Sequence, residues 1–286
     1  MYVKAQLLEQ SRQLGLSSGD SVMVHASLRS VGRMLGGPDV LIDALTETIG
    51  PAGTMMMYVG CEQPFDDVGR GCFTGDEEAL ILEHCPSFDP MTARASRAFG
   101  ALAELFRTRP GVICSRNPGA RMAALGAKTD WITRDHPLNY GLGAGSPLEK
   151  LCETGGKVLL LGSDPDEVTL LHYAENLGPI ARKKTVRIKL PLPVDGKRTW
   201  IEIEECNSST GIRDWPERFF ADIVQAFVRT PNVGTARLGN AVTHCLDAKA
   251  LVDFAIPIMV ETAARLDAPA VIGGSPQPVT TARDRG

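Results

Sequence analysis

Short runs of apolar residues, separated by glycine and polar loops, divide the chain into strands and helices in an α/β order. Apolar runs at residues 21–27, 54–60 and 157–162 are typical of buried strands. A loop containing glycines follows the first run, and a segment suited to a helix then extends from Pro38 to about residue 49. Because strand, loop, helix and strand follow one another, the pattern predicts parallel pairing in an α/β sheet.

Other segments with helical or alternating periodicity complete the predicted fold. Helices are expected near residues 4–14, 97–107, 127–133, 147–152, 215–229 and 248–265, and a short strand near residues 234–238. Residues 185–192 and 198–205 alternate apolar and polar side chains around Asp195-Gly196, which predicts a β-hairpin. We therefore expect an α/β fold with a mixed, largely parallel central sheet, flanking helices and a β-hairpin insertion.

Length and composition favour a single domain. The chain has 286 residues, of which 43% are hydrophobic, enough to bury a large core. Without an internal repeat or a linker, residues 1–267 are predicted to form one domain, and residues 268–286 a disordered tail. No apolar stretch approaches the ~18 residues of a membrane span, and the N-terminus lacks a signal-peptide pattern. We expect a soluble, cytoplasmic protein, either a monomer or a homodimer.

Cysteine usage and charge narrow the classes of function. Seven cysteines occur without a Cys-x-x-Cys pair or zinc-type spacing, which predicts free thiols and no metal site. The formal net charge of -4 gives no support to nucleic-acid binding. Between residues 61 and 83 a single base, Arg70, faces the acids Glu62, Asp66, Asp67, Asp76, Glu77, Glu78 and Glu83. Two interpretations stay open: a solvated, mobile loop, or an anionic rim that concentrates a polycationic ligand.

The segment most suggestive of catalysis follows the third apolar strand. On a helix that begins near residue 166, Thr169, His172 and Glu175 lie three residues apart and share one face. They follow the carboxyl end of a strand, where open α/β sheets place ligands. A His beside a carboxylate can act as a general base near neutral pH. Ordinary surface and core pairs have the same spacing, so spacing alone does not establish catalysis.

The loop after the first strand has the composition of an anion site. Ser27, Arg29, Ser30, Gly32 and Arg33 combine backbone N–H groups with guanidinium groups before a predicted helix start, which suits a phosphorylated ligand. The loop matches neither a Walker motif nor Gly-x-Gly-x-x-Gly, which argues against nucleotide hydrolysis and dinucleotide chemistry. A plain strand-to-helix connection remains the alternative interpretation.

A second polar turn covers residues 115–122. Its Arg116 and Arg121 either add positive charge near the same anion or are simply solvated. No Gly-x-Ser-x-Gly motif and no cysteine at a strand-to-helix elbow occurs in the chain. We therefore expect direct attack by a substrate group that His172 deprotonates, without a covalent enzyme intermediate.

Several separated motifs, in the right order, are shared with a known family. They are Val24-His25-Ala26-Ser27-Leu28-Arg29-Ser30-Val31-Gly32, Gly53-Thr54-Met55-Met56-Met57-Tyr58, Phe88-Asp89-Pro90, Ser146-Pro147-Leu148, and the strand at 158–162 leading into residues 169–175. In these motifs the chain resembles the aminoglycoside 3-N-acetyltransferases, an antibiotic-acetylating family distinct from the commoner acetyltransferase superfamily. The resemblance covers residues 5–265.

The resemblance implies a reaction and a set of residues. Acetyl would pass from the cosubstrate acetyl-CoA to the 3-amino group of a 2-deoxystreptamine aminoglycoside, conferring resistance without a metal. His172 would be the general base, Glu175 either its partner or a drug contact, and Thr169 a hydrogen-bond donor to the thioester oxygen or tetrahedral intermediate. Coenzyme contacts are implied at Ser27, Leu28, Arg29, Ser30, Val31, Gly32, Arg33, Ser115, Arg121 and Met122. Aminoglycoside contacts are implied at Tyr58, Glu62, Asp66, Asp67, Glu205 and Asp214.

The chain also departs from the family pattern. Cys114 stands where members often carry a basic residue, Arg121 where they carry a small residue, and Asp164 in place of a Pro. Two alternative functions stay open: N-acetylation of another amine, such as an antibiotic biosynthetic intermediate, and non-catalytic binding of coenzyme A. A third, hydrolysis at a His/Cys metal site, would require bound zinc.

Overall fold

The computed structural model describes residues 1–231 and 233–268, apart from the side chains of Pro64 and Asp66. The helices are α1 (Lys4–Gln13), α2 (Leu28–Val31), α3 (Asp39–Ile49), α4 (Gly75–His84), α5 (Ala101–Arg107), α6 (Thr129–Thr133), α7 (Pro147–Glu153), α8 (Leu170–Leu177), α9 (Phe219–Val228) and α10 (Ala248–Asp267). The strands are β1 (Ser21–Ala26), β2 (Thr54–Tyr58), β3 (Ile113–Cys114), β4 (Met122–Gly126), β5 (Lys157–Leu161), β6 (Thr185–Val194), β7 (Lys197–Cys206), β8 (Gly234–Leu238) and β9 (Ala241–Asp247). Apart from Ala268, the predicted tail lies outside the described residues.

Seven strands form one mixed sheet in the order β3-β4-β2-β1-β5-β9-β8. The central strand β1 pairs in parallel with β2 and with β5, whereas the other four pairings are antiparallel. The predicted α/β class, the mixed sheet and the flanking helices are confirmed, but parallel pairing is confined to these three central strands. Short connections join β3 to β4 and β8 to β9, and such connections require antiparallel neighbours.

Both faces of the sheet are covered, which explains why its central strands are almost wholly apolar. Along β1, Val22 and Val24 face a core shared with α1, α3 and α5, and Met23 faces a second core shared with α7, α8, α9 and α10. In a strand that is buried on both faces, apolar residues occupy successive positions instead of alternating with polar ones. Among the described residues, no helix is both long and apolar enough to cross a membrane.

The predicted hairpin is confirmed as a separate two-stranded sheet of β6 and β7. Its turn residues, Asp195 and Gly196, have φ angles of 48° and 74°. Two positive φ angles give the turn type whose twist matches paired strands, and Asp-Gly adopts it at little cost. The hairpin ends close to the carboxyl edge of the main sheet, where the backbone N–H of Glu204 donates a hydrogen bond of 2.8 Å to Asn139 Oδ1.

The acidic segment after β2 is folded against this hairpin rather than being a loose loop. It contains a short turn of 3-10 helix at Pro64–Asp67 and then α4. Phe65 packs in a small core with Ile188, Leu190 and Ile203 of the hairpin. The side chain of Thr74 caps α4 while Glu77 returns a hydrogen bond to the Thr74 backbone, a capping box that fixes the start of the helix.

Candidate active site

A cavity of about 490 Å³ opens at the carboxyl ends of the three parallel strands. Its floor includes His25 and Ala26 of β1, Tyr58 of β2 and Ser163 after β5, and its walls include Thr169 and His172. The hairpin closes one side with Val186, Ile188, Glu205 and Cys206. The site therefore lies where parallel strands of an α/β sheet end, as the order of elements predicts.

His172 and Glu175 form a hydrogen-bonded pair beside this cavity. His172 Nδ1 lies 2.7 Å from Glu175 Oε2, as expected for residues three apart on one face of α8. The His172 side chain keeps 25% of its surface exposed, whereas Glu175 keeps 1%. With Nδ1–H directed at the carboxylate, the lone pair of a neutral imidazole is on Nε2, the nitrogen available to a substrate.

The second oxygen of Glu175 is also used inside the protein. Trp215 Nε1 donates a hydrogen bond of 2.6 Å to Glu175 Oε1, and the Trp215 ring stacks on Phe219 at 4.7 Å between centroids. The ring of Phe220 lies 5.0 Å from the imidazole of His172. Both carboxylate oxygens are thus occupied and buried, so this geometry orients His172 and leaves no oxygen facing a ligand.

The turn that precedes Thr169 and His172 is held by hydrogen bonds to the start of α9. Arg218 donates two hydrogen bonds, of 3.0 and 2.6 Å, to the carboxylate of Asp164. Asp166 Oδ1 accepts a hydrogen bond of 2.9 Å from the backbone N–H of Ala221. Thr169 precedes α8, lines the cavity and makes no side-chain capping bond to the helix. The hydrogen bonds to α9 fix the position of Thr169 without using its hydroxyl.

Two carboxylates line the cavity from different elements of the fold. Glu167 comes from the turn that precedes Thr169, and its carboxylate forms no hydrogen bond or ion pair with the described residues. Burial, together with the negative charges of Asp164 and Asp166, raises the pKa of Glu167. Glu205 comes from β7, and its Oε1 accepts a hydrogen bond of 2.6 Å from the Gly141 backbone. The cavity thus offers negative charge on two walls.

Comparison with known proteins assigns the chain to a family. The family model for aminoglycoside 3-N-acetyltransferase matches residues 23–260. Aminoglycoside N(3)-acetyltransferase III of Pseudomonas aeruginosa is 36% identical over 89% of this chain and 92% of that protein. The chain belongs to the aminoglycoside 3-N-acetyltransferases. It is an acyltransferase by that membership, and the family resemblance read from its motifs is confirmed.

Two solved structures share the fold of this acetyltransferase. "AAC-IIIb binary with CoASH" has a TM-score of 0.86 and 41% sequence identity, covering 91% of this chain and 97% of its own. "Room temperature neutron/X-ray structure of sisomicin bound AAC-VIa" has a TM-score of 0.84 and 34% identity, covering 91% and 98%. The likeness extends over nearly the whole of both related chains.

The acetyltransferase's predicted coenzyme loop, residues 27–33, lies between β1 and α3 and directly follows His25 and Ala26, which line the cavity. Arg29 and Arg33 are exposed and form no ion pair with the described residues. Ser27 accepts a hydrogen bond from the backbone N–H of Ser30, which shapes the short helix α2. Leu28 is half-buried, and Gly32 has a φ of 92°, a backbone conformation suited to glycine. Val31 differs, because its side chain is fully buried in the core.

The second set of predicted coenzyme residues is buried away from any ligand. Arg121 has no exposed surface, and its guanidinium donates to the carbonyl oxygens of Gly60, Pro90, Ala93 and Arg94 at 2.7 to 3.0 Å. Ser115 is fully buried and bonded to His136 and to the Met122 backbone, and the Met122 side chain is in the core. These three side chains hold the strand and loop beside the site, and their contact with the coenzyme stays a prediction.

The predicted aminoglycoside contacts divide between the cavity and its surroundings. Tyr58 and Glu205 line the cavity, and the Tyr58 hydroxyl donates a hydrogen bond of 2.8 Å to the Gly119 carbonyl. Glu62 is at a neighbouring depression and accepts a hydrogen bond from the Arg97 backbone. Asp67 forms a 3.9 Å ion pair with Arg70. The Asp66 side chain lies outside what the structure describes.

Asp214 is not among the residues that line the cavity. Its carboxylate is on the surface and pairs with Lys184, which lowers the pKa of Asp214 below its usual value. No residue of the cavity wall contacts it through a side-chain hydrogen bond in the described structure. That Asp214 binds the acceptor stays a prediction, and its carboxylate already has a cationic partner in Lys184.

Several residues of the site were not predicted from the sequence. Glu167, Ser163, Trp215 and Phe220 belong to no motif found in the sequence, and His25 lies in the first shared motif without a function assigned to it. Glu167 left one signal, since it ends the acidic turn before the predicted catalytic helix. Within the described ranges 1–231 and 233–268, no three His, Cys, Asp or Glu residues form a group suited to a metal ion.

Proposed function

We propose that this chain transfers an acetyl group from acetyl-CoA to the 3-amino group of 2-deoxystreptamine aminoglycosides, within one domain of residues 1–267. The observation that carries the proposal is the His172–Glu175 pair at the edge of a cavity with two further carboxylates. Family membership supports the reaction class, and relatives bound to CoASH and to sisomicin support the two ligands.

The acceptor amine must lose a proton before it can act as a nucleophile. One proton of the acceptor ammonium is lost to solvent, and His172 Nε2 takes a second as the amine nitrogen forms a bond to the thioester carbonyl carbon. The tetrahedral intermediate then breaks its C–S bond, and the imidazolium of His172 returns a proton to the sulfur of CoA. Glu175 keeps the imidazole in the required tautomer and stabilises its charged form. No acyl-enzyme is needed.

Thr169 is the proposed donor to the developing oxyanion. Its side chain lines the same cavity as His172 and stands one turn earlier, at the start of α8. A hydroxyl that the helix does not use for capping can point toward the thioester oxygen. A fixed donor of this kind stabilises negative charge as it develops in the transition state.

The acceptor binds through its additional ammonium groups. Glu167 and Glu205 present carboxylates on two walls, and charge-assisted hydrogen bonds between ammonium and carboxylate are among the stronger polar contacts. Tyr58, whose ring meets Phe99 edge-on at 4.5 Å between centroids, adds an aromatic surface. Ser208 and Ser209 of the segment after β7 supply hydroxyls at the rim. A polycationic amino sugar fits this arrangement of charge.

The coenzyme binds on the side of the loop after β1. Arg29 and Arg33 are exposed cations suited to phosphate groups, and Ser27, Leu28, Ser30 and Gly32 place the backbone close to the ligand. We place the reaction in the cytoplasm, in keeping with seven cysteines that are all free. Acetylation turns a positively charged amine into a neutral amide, which weakens the drug's attraction to its anionic target and accounts for resistance.

The test is release of the CoA thiol from acetyl-CoA with gentamicin, kanamycin, tobramycin and neomycin as acceptors. We expect acceptor-dependent thiol release with several of the four, and NMR of the product should place the acetyl group on the 3-amino nitrogen. No release with any of the four would reject aminoglycosides as acceptors and favour another amine. Acetylation at a different nitrogen would reject the position.

A further inference from the structure

Two polar side chains on the cavity floor have no function in the reaction described so far. His25 is the penultimate residue of β1. Ser163 lies two residues after the end of β5, the strand that pairs with β1 in parallel. His25 pairs with Leu160 across that ladder, only three positions before Ser163. Both residues line the cavity that holds His172 and Thr169.

Each of these side chains has a buried polar atom without a partner. His25 Nε2 and Ser163 Oγ are shielded from solvent and form no hydrogen bond with the described residues. A buried polar group without a partner is costly, and proteins retain few of them. Only two other side-chain atoms in the described part of the chain share this property, Ser87 Oγ and Thr129 Oγ1, and neither residue lines the cavity.

His25 and Ser163 lie where the coenzyme loop meets the turn that leads to His172. The Ser30 hydroxyl donates a 3.0 Å hydrogen bond to the carbonyl of Gly162, directly before Ser163. The Ser27 backbone N–H donates a 3.0 Å bond to the carbonyl of Leu161. Gly162 has a φ of 59°, and a Cβ there would come within 2.6 Å of Ser30 Cβ, so the contact depends on this glycine.

We propose that His25 and Ser163 bind the neutral amide and thioester groups of the acyl donor's pantetheine arm. The inference rests on the proposed function, because it assumes that acetyl-CoA is the donor. A donor held by its phosphates near Arg29 and Arg33 must pass this floor to bring its thioester to His172. An imidazole and a hydroxyl there supply hydrogen bonds along that path and thereby satisfy their own buried atoms.

The charge state of the pair fits an uncharged ligand group. Burial lowers the pKa of His25 to about 4, so its imidazole is neutral at pH 7, as is the Ser163 hydroxyl. A neutral imidazole neither attracts phosphate as a cation would nor holds an ammonium as a carboxylate would. Three kinds of side chain thus bind three kinds of ligand group. Arginines bind phosphates, carboxylates bind ammonium groups, and the neutral pair binds amides and the thioester.

The test compares two ligands that differ by the pantetheine arm. Calorimetry measures the Kd of CoA and of adenosine 3′,5′-bisphosphate, which keeps the nucleotide end alone, for wild type, His25→Phe and Ser163→Ala. We expect each variant to bind CoA ~3- to 10-fold more weakly, the range for one lost hydrogen bond, with unchanged affinity for the bisphosphate. Without ligand, each variant should melt at the same temperature as wild type or higher, since a buried unpaired atom is removed.

Thr129→Val is the matched control, because it removes an unpaired buried hydroxyl outside the cavity. It should leave both Kd values unchanged. Unaltered CoA affinity in both His25→Phe and Ser163→Ala would overturn the inference, as would an equal loss for CoA and the bisphosphate. A wild-type protein that binds no CoA would instead reject the proposed donor, so the two failures are distinguishable.

Discussion

Glu175 determines how His172 can act, because both of its oxygens are already bound within the protein. One oxygen accepts from His172 and the other from Trp215, at 2.7 and 2.6 Å. A carboxylate held in this way fixes the ring and its tautomer, and with 1% of its side chain exposed it presents almost no surface to a drug ammonium. The alternative in which Glu175 contacts the acceptor is therefore disfavoured by the geometry.

Glu175→Gln should separate these two roles. The amide keeps the size of the side chain but loses the charge that stabilises the imidazolium, so we expect kcat to fall ~10- to 10³-fold. KM for the aminoglycoside should stay within about twofold of wild type. Steady-state kinetics with a saturating donor measures both values. A large rise in KM with unchanged kcat would show that Glu175 binds the acceptor.

Glu167→Gln tests the acceptor side of the cavity. We expect KM for aminoglycosides to rise ~3- to 10-fold, with little change in kcat or in KM for acetyl-CoA, since one charge-assisted contact to an ammonium is lost. Glu217→Gln is the control, because it removes the same charge from an exposed neighbour of Arg218 outside the cavity wall. Equal effects of the two substitutions would point to general electrostatic attraction rather than to a contact at Glu167.

The limits of sequence reasoning are clearest at Arg121. Its charge suggests a phosphate ligand, yet four backbone carbonyls enclose its guanidinium. Those carbonyls belong to Gly60 and to residues 90–94, which no local pattern connects to Arg121. His172 and Glu175 could be paired from sequence because three residues on a helix place them on one face. Contacts between distant segments leave no such periodic signal.

At the scale of elements, the loop before α5 is held to that helix by one carboxylate. Glu104 accepts hydrogen bonds from Arg107 and Arg94 side chains and from the Ala95 backbone. These bonds, with that from Arg107 foremost, lower the pKa of Glu104 to about 2. Since residues 96–99 carry Ser96 and Phe99 into the cavity wall, this carboxylate supports the site indirectly.

Glu104→Gln should lower stability in a pH-dependent way. The pKa of Glu104 in the folded protein is below its ordinary value, so its stabilising contribution is complete above about pH 4.5 and disappears as pH falls toward 2. We expect the variant to be ~1–2 kcal/mol less stable at pH 7, a figure reduced for partial exposure. Urea unfolding at pH 7, 4 and 3 measures the difference. If the difference in unfolding free energy between variant and wild type were the same at all three pH values, the charge of Glu104 would not be the source of the stabilisation.

The elements differ in how well their patterns predict them. The β6–β7 hairpin follows from alternation around Asp195-Gly196, and β1, β2 and β5 from apolar runs. The helix α4 could not be expected from hydrophobic periodicity, because none of its residues is buried. The strand β9 pairs with β5 although 79 residues separate the end of β5 from the start of β9, and local patterns do not encode such long-range pairing.

At the scale of the whole molecule, the cavity is a product of segments far apart in the chain. Strand ends near residues 25, 58 and 163 form its floor, the hairpin its side, and α9 supports His172 from behind. Parallel strands deliver their carboxyl ends to one edge, so the location of the site was predictable. The supporting residues Trp215 and Phe220 were not, because only the packing of α9 on the β5–α8 turn brings them there.

Turnover of His172→Ala tests the central claim most directly. The measurement is the initial rate of CoA thiol release with saturating acetyl-CoA and the best of the four aminoglycosides, for variant and wild type. We expect kcat to fall ~10²–10⁴-fold, the usual range for a lost acid–base group, while the Kd of CoA changes only modestly. A variant that turns over at near wild-type rate would contradict His172 as the base.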